Sequence, residues 1–462
     1  MRRRSARAAR RPAPGAQADV RRGLPSGAAE VTAAAVHVSP ARACAFQVVR
    51  RVFERGAYAD RALAAEAGRG SLSPRDRALA MRIAYGTVQR RATLDHVVER
   101  LAERDVRKLA PPVLAALRAG LFQLLFLDGV AEHATVNESV ELAKVGGAGG
   151  ARLVNAVLRR AVREGPAILE RLDDSTPDRA ATIHSVPTWL AEKWWRELGG
   201  DEARALLERI NDPAESALRV NTLLSSADAV TTRLPVHARP VSGLPEALVL
   251  EGPFDVWSSE LWTGGAVMAQ STGSMRVARM LAPRAGDRVL DLCAAPGGKT
   301  THMAALQDGS GEIVAVERHP GRARALAQTC QRMRATGVRV EVADAAEISS
   351  SPTFDRVLVD PPCSGLGTLQ SRPDVRWRAS PRSIAELAEI QLRILRAGAA
   401  ATAAGGVLVY SVCTISDAEG QGVIDRFLDQ DDGFELEERV QLLPHRDQTD
   451  GFFIARLRRL DL

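Results

Sequence analysis

The segment that decides the fold is Asp291-Leu292-Cys293-Ala294-Ala295-Pro296-Gly297-Gly298-Lys299-Thr300. The short apolar stretch just before it, within residues 287–290, predicts a buried strand. The residues after it, 301–306, predict a helix whose N-cap is Thr300 or Thr301. The segment is therefore a glycine-containing turn between a strand and a helix.

Such a turn favours an anionic or nucleotide-like ligand, because glycines allow close backbone approach and a helix N-terminus offers free N–H groups. A second predicted strand, residues 313–317, ends in Glu317, which lies 20 residues beyond Gly297. In nucleotide-binding folds an acid at that place binds ribose hydroxyls. The turn is neither G-x-G-x-x-G nor a Walker loop, so NAD and ATP are poorer candidates. An ordinary turn with glycines placed for geometry is the alternative interpretation.

From about residue 256 onward, predicted strands and helices alternate, as in a doubly wound sheet. Ligands of such sheets bind at the carboxyl ends of the strands. The predicted strands are residues 287–293, 313–317, 339–342, 355–360 and 406–412. The glycine-containing turn lies at the end of one of these strands. At or just beyond the ends of the strands also lie the side chains of Glu317, Asp344, Asp360, Cys363 and Cys413. This convergence predicts a site at one edge of the sheet.

Three regions precede this domain. Residues 1–38 are rich in Arg, Ala, Pro and Gly and predict a disordered basic tail, which either adds non-specific RNA affinity or is dispensable. Residues 39–165 predict an all-helical bundle, with helix starts at Ser39-Pro40, Ser73-Pro74, Pro111-Pro112 and Thr135. Residues 166–255 predict a small α/β module. It has an amphipathic helix at 189–195, whose tryptophans we expect in the core, and a strand at 217–221.

Composition narrows the classes of protein. The chain has 62 Lys and Arg against 56 Asp and Glu, and only four of the cations are lysines. Arginine suits phosphate contact, although a GC-rich genome explains the bias equally well. Five widely spaced cysteines argue against a disulfide framework or a zinc site and indicate a reducing cytoplasm. No apolar run reaches membrane-spanning length. We expect a monomer.

Three motifs in order resemble those of a known family. Besides 291–300 they are Asp360-Pro361-Pro362-Cys363-Ser364-Gly365 and Tyr410-Ser411-Val412-Cys413-Thr414. Together they resemble the S-adenosylmethionine-dependent RNA 5-methylcytosine methyltransferases, the bacterial rRNA and eukaryotic nucleolar (RsmB/Sun) family. This likeness covers roughly residues 166–460. Residues 39–165 resemble the NusB-like fold of RNA-binding antitermination factors, best at 133–144 and 153–160.

The resemblance implies a Rossmann-like class I methyltransferase domain at 256–462, RNA as partner, most simply 16S rRNA, and no metal. It implies S-adenosyl-L-methionine as cofactor, held by Cys293, Ala294, Ala295, Pro296, Gly297, Gly298, Lys299, Glu317, Asp344 and Asp360.

The resemblance also implies a covalent mechanism, in which a thiolate adds to carbon 6 of cytosine and makes carbon 5 nucleophilic. Cys413 matches the RNA family's nucleophile, and Cys363 matches the cysteine that helps to release product. Asp360 is expected to hydrogen-bond the cytosine ring and Lys299 to reach toward the base. In DNA 5-methylcytosine enzymes the nucleophile is instead the cysteine at the place of Cys363. The presence of both cysteines disfavours DNA as substrate.

Further RNA contacts are expected at Arg152, Arg159, Arg160, Arg163, Arg219, Asn221 and the arginines of the substrate loop, residues 371–377. The sequence departs from the family pattern at Ser271, where Asp is usual, and at Gly420, where Asn is usual. We expect activity to survive both departures. The alternatives are a non-catalytic RNA-binding or antitermination-like factor with a decayed methyltransferase domain, and methylation of another RNA such as tRNA.

Overall fold

The computed structural model describes residues 38–70, 72–348 and 353–461. Residues 1–37 of the predicted tail lie outside this part of the chain. Residues 40–169 form a helical bundle, and the predicted starts at Ser39-Pro40, Ser73-Pro74 and Pro111-Pro112 are confirmed. The helices are α1 Pro40–Arg55, α2 Ala59–Arg69, α3 Pro74–Gln89, α4 Arg91–Ala102, α5 Pro111–Phe126, α6 Glu132–Ala143 and α7 Ala148–Leu169.

Local sequence explains most of these helix starts. Ser73 caps α3, because its hydroxyl accepts a hydrogen bond from the Asp76 backbone N–H at 3.1 Å, and Pro74 follows in the first turn. The helix predicted to start at Thr135 begins earlier, at Glu132. The last helix, α7, continues through residue 165 to Leu169. The α-helical region therefore crosses the boundary predicted at residue 165.

The middle region combines helices with a small antiparallel sheet of order β2-β3-β1-β4. One of its strands, β4, lies beyond the boundary predicted at residue 255. Trp194 is fully buried, as predicted, and its indole N–H donates to the backbone oxygen of Ile415 at 2.9 Å. The elements are α8 Pro177–Ile183, α9 Thr188–Leu198, α10 Gly200–Arg209, β1 Ala217–Val220, α11 Ala227–Thr231, β2 Ala238–Val241, β3 Leu244–Leu250, α12 Glu260–Thr263 and β4 Val267–Ala269.

The C-terminal region is a seven-stranded sheet of order β10-β11-β9-β8-β5-β6-β7, with helices on both faces. Five neighbouring strands are parallel, and β10 and β11 form an antiparallel pair at one edge. All five predicted strands are present. The elements are α13 Thr272–Leu281, β5 Arg288–Leu292, α14 Gly298–Leu306, β6 Glu312–Val316, α15 Pro320–Arg332, β7 Val338–Glu341, β8 Phe354–Val359, α16 Pro381–Ala401, β9 Thr402–Val412, α17 Gln421–Leu428, β10 Phe434–Leu442, α18 Pro444–Asp447 and β11 Phe452–Arg459.

The loop between β8 and α16, residues 360–380, is anchored by the fully buried side chain of Arg376. Its guanidinium donates to the backbone oxygens of Ser185 at 3.1 Å and of Ile210 and Leu369 at 3.3 Å. It also donates to the side-chain oxygen of Asn211 at 2.9 Å. The prediction that Arg376 contacts RNA is therefore wrong, because the folded chain itself uses its donors.

The next residue of this loop joins it to the helical bundle. The Trp377 indole N–H donates to the backbone oxygen of Val88 in α3 at 2.7 Å. On the same ring lies the Arg91 guanidinium of α4, 5.0 Å from the ring centroid. The β8–α16 loop is thus held by the bundle on one side and by the middle region on the other.

We expect Arg376→Met to lower the free energy of unfolding by about 2 to 4 kcal/mol, because several buried carbonyl oxygens would lose a charged donor. Urea unfolding measures this change. The matched control is Arg382→Met, since the Arg382 side chain is 89% exposed and pairs only with its helical neighbour Glu386. Equal unfolding midpoints for the two variants would contradict the anchoring role.

Candidate active site

The turn that opens the site lies between β5 and α14. The helix begins at Gly298 with Gly297 as N-cap, so the prediction of Thr300 or Thr301 as N-cap is wrong. Both threonines are buried in the first turn instead. The Thr300 hydroxyl donates to the Asp291 carboxylate at 2.6 Å, and the Thr301 hydroxyl donates to the Gly297 backbone oxygen at 2.7 Å. These hydrogen bonds fix the first turn of α14 to the end of β5 and to Gly297.

The turn requires glycine at one position. Gly297 has φ +102°, and a Cβ there would lie 2.8 Å from a Leu326 methyl group in α15. The turn therefore brings bare backbone to the edge of the sheet, which is the shape that a nucleotide-like ligand needs. Cys293 at the start of the turn packs against the core, and burial raises the pKa of its thiol to about 12.

Two acids at neighbouring strand ends face the same edge. Glu317 follows β6 with only 3% exposure, and its carboxylate accepts the His319 backbone N–H at 2.9 Å. Arg322 links it to the turn, because this guanidinium lies 3.4 Å from Glu317 and donates to the Ala295 backbone oxygen at 2.8 Å. Asp344 follows β7 and accepts a backbone N–H from Ala346 at 3.0 Å. The donor and acceptor set fits an adenosine-type cofactor.

The carboxylate of Asp360, directly after β8, joins the turn to β9. Lys299 Nζ donates to one oxygen at 2.7 Å, and the Ser411 hydroxyl donates to the other at 2.8 Å. Burial of Lys299 opposes its charge, but the Asp360 carboxylate outweighs this effect and raises the pKa of the lysine. A charged pair therefore stands between the cofactor turn and the end of β9.

The two cysteines predicted at strand ends meet beside this pair. The Sγ atoms of Cys363 and Cys413 are 3.4 Å apart, and both thiols are free. The hydrogen bond with Cys363 lowers the pKa of Cys413 against the effects of burial and of the Asp360 carboxylate, and the nearby Lys299 cation lowers it further. The same hydrogen bond, together with burial, raises the pKa of Cys363. Cys413 is thus the thiol that ionises more readily.

Behind the thiols, Glu419 is fully buried and ties three segments together. Its carboxylate accepts the backbone N–H of Ser364 at 2.7 Å and the side-chain N–H of Gln391 at 3.1 Å. Only the structure shows these contacts, because they join residues that are far apart in the chain. At the next residue, Gly420, a Cβ would lie 2.9 Å from the Phe453 ring. The phenylalanine therefore packs where an Asn side chain would begin.

One acid near the site was missed from the sequence. Asp450 precedes β11, and burial raises its pKa to about 6, with Lys299 partly opposing this shift. Ser271, the other departure from the family pattern, is the N-cap of α13 and accepts the Ser274 N–H. No local pattern could have brought Asp450 to Lys299, because 151 residues separate them.

Two residues expected at an RNA groove lie in the interior instead. Arg219 and Asn221 are at most 1% exposed. Arg219 donates to the Thr301 hydroxyl at 2.8 Å, and Asn221 donates to the Met333 backbone oxygen at 2.8 Å. The prediction of RNA contact is wrong for both, because they join the small sheet to the domain of the seven-stranded sheet.

Of the arginines predicted to contact RNA from α7, three are exposed: Arg152, Arg159 and Arg163. Arg160 is engaged, since it donates to the Leu101 backbone oxygen at 2.6 Å and pairs with Glu164 at 3.0 Å. Across the described residues, no helix is both long and apolar enough to cross a membrane.

The fold, the glycine turn and the acids at successive strand ends define an S-adenosylmethionine-dependent methyltransferase. The family model described as 16S rRNA methyltransferase RsmB/F matches residues 278–458. The NusB family matches residues 39–163, and the RsmF/B-like ferredoxin-like domain matches residues 186–257.

Full-length relatives give the same result. The chain is 35% identical over 451 residues to the probable ribosomal RNA small subunit methyltransferase B of Synechocystis, covering 91% of this chain and 99% of that protein. It is also 35% identical over 435 residues to ribosomal RNA small subunit methyltransferase B of Thermus thermophilus, covering 91% and 98%. The chain therefore belongs to the ribosomal RNA small subunit methyltransferase B family.

Solved structures agree on the architecture. The crystal structure of PH0851 superposes with a TM-score of 0.77 and 25% identity, over 91% of this chain and 99% of that one. NSun6 from Pyrococcus horikoshii has a TM-score of 0.57 and 23% identity, over 61% and 100%, and shares the fold. The predicted multidomain class, with a helical NusB-type bundle, a middle module and a Rossmann-like domain, is confirmed.

The buried Asp291 carboxyl makes stability depend on pH. Burial raises its pKa to about 7, and one oxygen has no hydrogen-bond partner among the described residues. The native state therefore keeps a proton that the unfolded chain releases near pH 4, so the contribution of Asp291 to stability falls as pH rises through this window.

We expect Asp291→Asn to lack this loss, because the amide stays neutral. The free energy of unfolding of the variant minus that of the wild type should increase with pH between pH 4 and 7. The increase should be at most about 1.4 kcal/mol per pH unit. Urea unfolding at several pH values without cofactor measures the difference. A difference that does not change with pH would contradict the raised pKa.

Proposed function

We propose that this protein transfers a methyl group to carbon 5 of a cytosine in small-subunit rRNA through a covalent adduct with Cys413. Membership in the family supports S-adenosylmethionine-dependent methylation of rRNA. The observation that carries the finer proposal is the pair of thiols 3.4 Å apart, beside the Lys299–Asp360 pair at the strand ends. We place the activity in the cytoplasm, where bacterial rRNA is made.

The chemistry requires a nucleophile because carbon 5 of cytosine is not reactive enough to accept a methyl group directly. The Cys413 thiolate forms a bond to carbon 6, and the electron pair of the 5,6 double bond becomes available at carbon 5. S-adenosylmethionine, when bound, supplies the methyl group. A base then removes the proton from carbon 5, and the carbon–sulfur bond breaks to restore the double bond and the thiolate.

The lowered pKa of Cys413 suits the first step, since the thiolate is the nucleophilic form. Cys363 shares a hydrogen bond with it and lies close enough to assist elimination of the product. Asp360 is proposed to hydrogen-bond the cytosine ring, and Lys299 to stabilise the thiolate and reach toward the base.

The cofactor is proposed to bind along the turn and the two acids beyond it. Backbone groups of residues 293–299 would line it, Glu317 would bind the ribose hydroxyls, and Asp344 would face the adenine. Asp360 would border both cofactor and base, because its carboxylate already bonds Lys299 of the turn.

DNA methylation is disfavoured by the difference between the two thiols. The DNA-type mechanism needs a thiolate at Cys363, but burial and the hydrogen bond to Cys413 raise the pKa of that thiol. A decayed methyltransferase domain that only binds RNA is disfavoured because the acids, the lysine and both thiols are assembled in one place.

Alanine variants of the two cysteines test the mechanism. We expect Cys413→Ala to lose methyl transfer by at least about a thousandfold, because the covalent route has no other nucleophile. Cys363→Ala should still form the adduct but release it slowly, so that a denaturant-stable protein–RNA complex accumulates. Transfer of labelled methyl groups and gel analysis under denaturing conditions measure both effects.

Wild type should be tested on naked small-subunit rRNA, small-subunit particles and tRNA, with bisulfite sequencing to locate the mark. Label retained by Cys413→Ala, or covalent capture lost only in Cys363→Ala, would reverse the assignment of the thiols. Label confined to tRNA would refute the rRNA substrate.

A second experiment tests the electrostatic role of Lys299. In Lys299→Gln the cation is lost and the Asp360 charge is no longer offset, so both changes raise the pKa of Cys413. The pH–rate profile for alkylation of Cys413 by iodoacetamide should therefore shift to higher pH than that of the wild type. Cys413→Ala identifies the background from other thiols, and an unshifted pH profile would refute the role.

A further inference from the structure

A group of four side chains joins the bundle to the β8–α16 loop at the surface. The half-buried ring of Tyr58, between α1 and α2, has three guanidinium groups around it. Arg378 lies 3.9 Å, Arg61 5.1 Å and Arg372 5.9 Å from the ring centroid. Arg61 belongs to the bundle, whereas Arg372 and Arg378 belong to the loop. We call these four residues the Tyr58 cluster.

The Tyr58 cluster brings three positive charges together. All three arginines are exposed, and no ion pair joins any of them to a carboxylate within the residues that the structure describes. The neighbouring Asp374 is only 3% exposed; burial raises its pKa, and Arg372 and Arg378 partly oppose that shift. Three cations gathered on one aromatic ring create a positive potential that fits a polyanion.

The Tyr58 cluster is close to the thiols along the chain. Gly367 in the same loop donates its backbone N–H to the Cys413 backbone oxygen at 3.0 Å. The five residues from Gly367 to Arg372 span at most roughly 17 Å even when fully extended. The turn closed by the Arg372 N–H and the Thr368 backbone oxygen at 2.8 Å makes the true distance shorter. Arg372 therefore lies within a few nucleotides' length of the thiols.

The surface is held rigidly from beneath. Arg376, fully buried between Arg372 and Arg378, anchors the loop to the middle region, and Trp377 anchors it to α3. Arg378 also donates to the Gly56 backbone oxygen, which fixes its guanidinium over the ring. A preorganised cationic surface loses little side-chain entropy when a phosphate binds.

We infer that the Tyr58 cluster binds the phosphate backbone of the RNA substrate beside the target nucleotide, with the bundle and the catalytic loop each contributing cations. The inference rests on the proposed function only in taking RNA as the substrate. In this inference the bundle contributes one cation, Arg61, and the Tyr58 ring against which the loop arginines pack.

The test is the salt dependence of RNA binding, measured without cofactor on a transcript of small-subunit rRNA. The triple variant Arg61→Gln, Arg372→Gln and Arg378→Gln should bind more weakly. Its plot of log affinity against log salt should be shallower by about 2, since each phosphate contact on a single strand contributes about 0.7. The triple Lys variant keeps the charges and should keep most of the slope.

The matched control is Arg284→Gln. Arg284 is exposed in the turn before β5, at the edge of the sheet opposite the cofactor turn, and its loss should leave the slope unchanged. Tyr58→Phe keeps the aromatic face and should bind like wild type, whereas Tyr58→Leu should bind more weakly. A wild-type slope in the triple Gln variant, or an equal loss in the triple Lys variant, would overturn the inference.

Failure of the proposed function gives a different result. If wild type binds the transcript with a steep salt slope that the triple Gln variant loses, but no methyl transfer occurs on any RNA, the Tyr58 cluster stands and the catalytic proposal falls. If methyl transfer and the slope both persist in the triple Gln variant, the catalytic proposal stands and the cluster falls.

Discussion

The parallel pairing of β8 with β5 on one side and β9 on the other is the constraint on which the site depends. In this register Val359 of β8 lies level with Leu292 and Tyr410, so β5 and β8 end together and β9 ends two residues later, at Val412. The cofactor turn, Asp360 and Cys413 therefore lie at the same edge of the sheet, where these strands end. The Lys299–Asp360 bond and the 3.4 Å approach of the thiols are consequences of that register.

A second constraint is the burial of a single arginine. In place of water, the Arg376 guanidinium donates hydrogen bonds to carbonyl and amide oxygens of the middle region and of its own loop. The indole of Trp377 adds a hydrogen bond to the bundle. A buried cation without these acceptors would be strongly unfavourable. The loop that carries Cys363 is therefore tied to both N-terminal regions, so the bundle helps to hold this loop in place.

Much of the fold could be predicted from the sequence. The starts of α1, α3 and α5 follow from Ser-Pro and Pro-Pro signals, and the five parallel strands follow from short apolar runs that end in polar residues. The mistakes have local causes. Gly297 precedes Thr300 and Thr301 and is the N-cap, so the helix has already begun before either threonine. Arg219, Asn221 and Arg376 are residue types that often contact RNA, but here they are buried.

By itself the sequence determined which residue types stand at the strand ends, because strand periodicity and the glycine turn are local properties. It also carried the order of the motifs that mark the family. Only the tertiary structure decided which arginines are free and which are internal, and which thiol ionises more readily. It also placed Asp450 and Glu419 beside the site. These properties depend on burial and on distances between residues far apart in the chain, which no local pattern encodes.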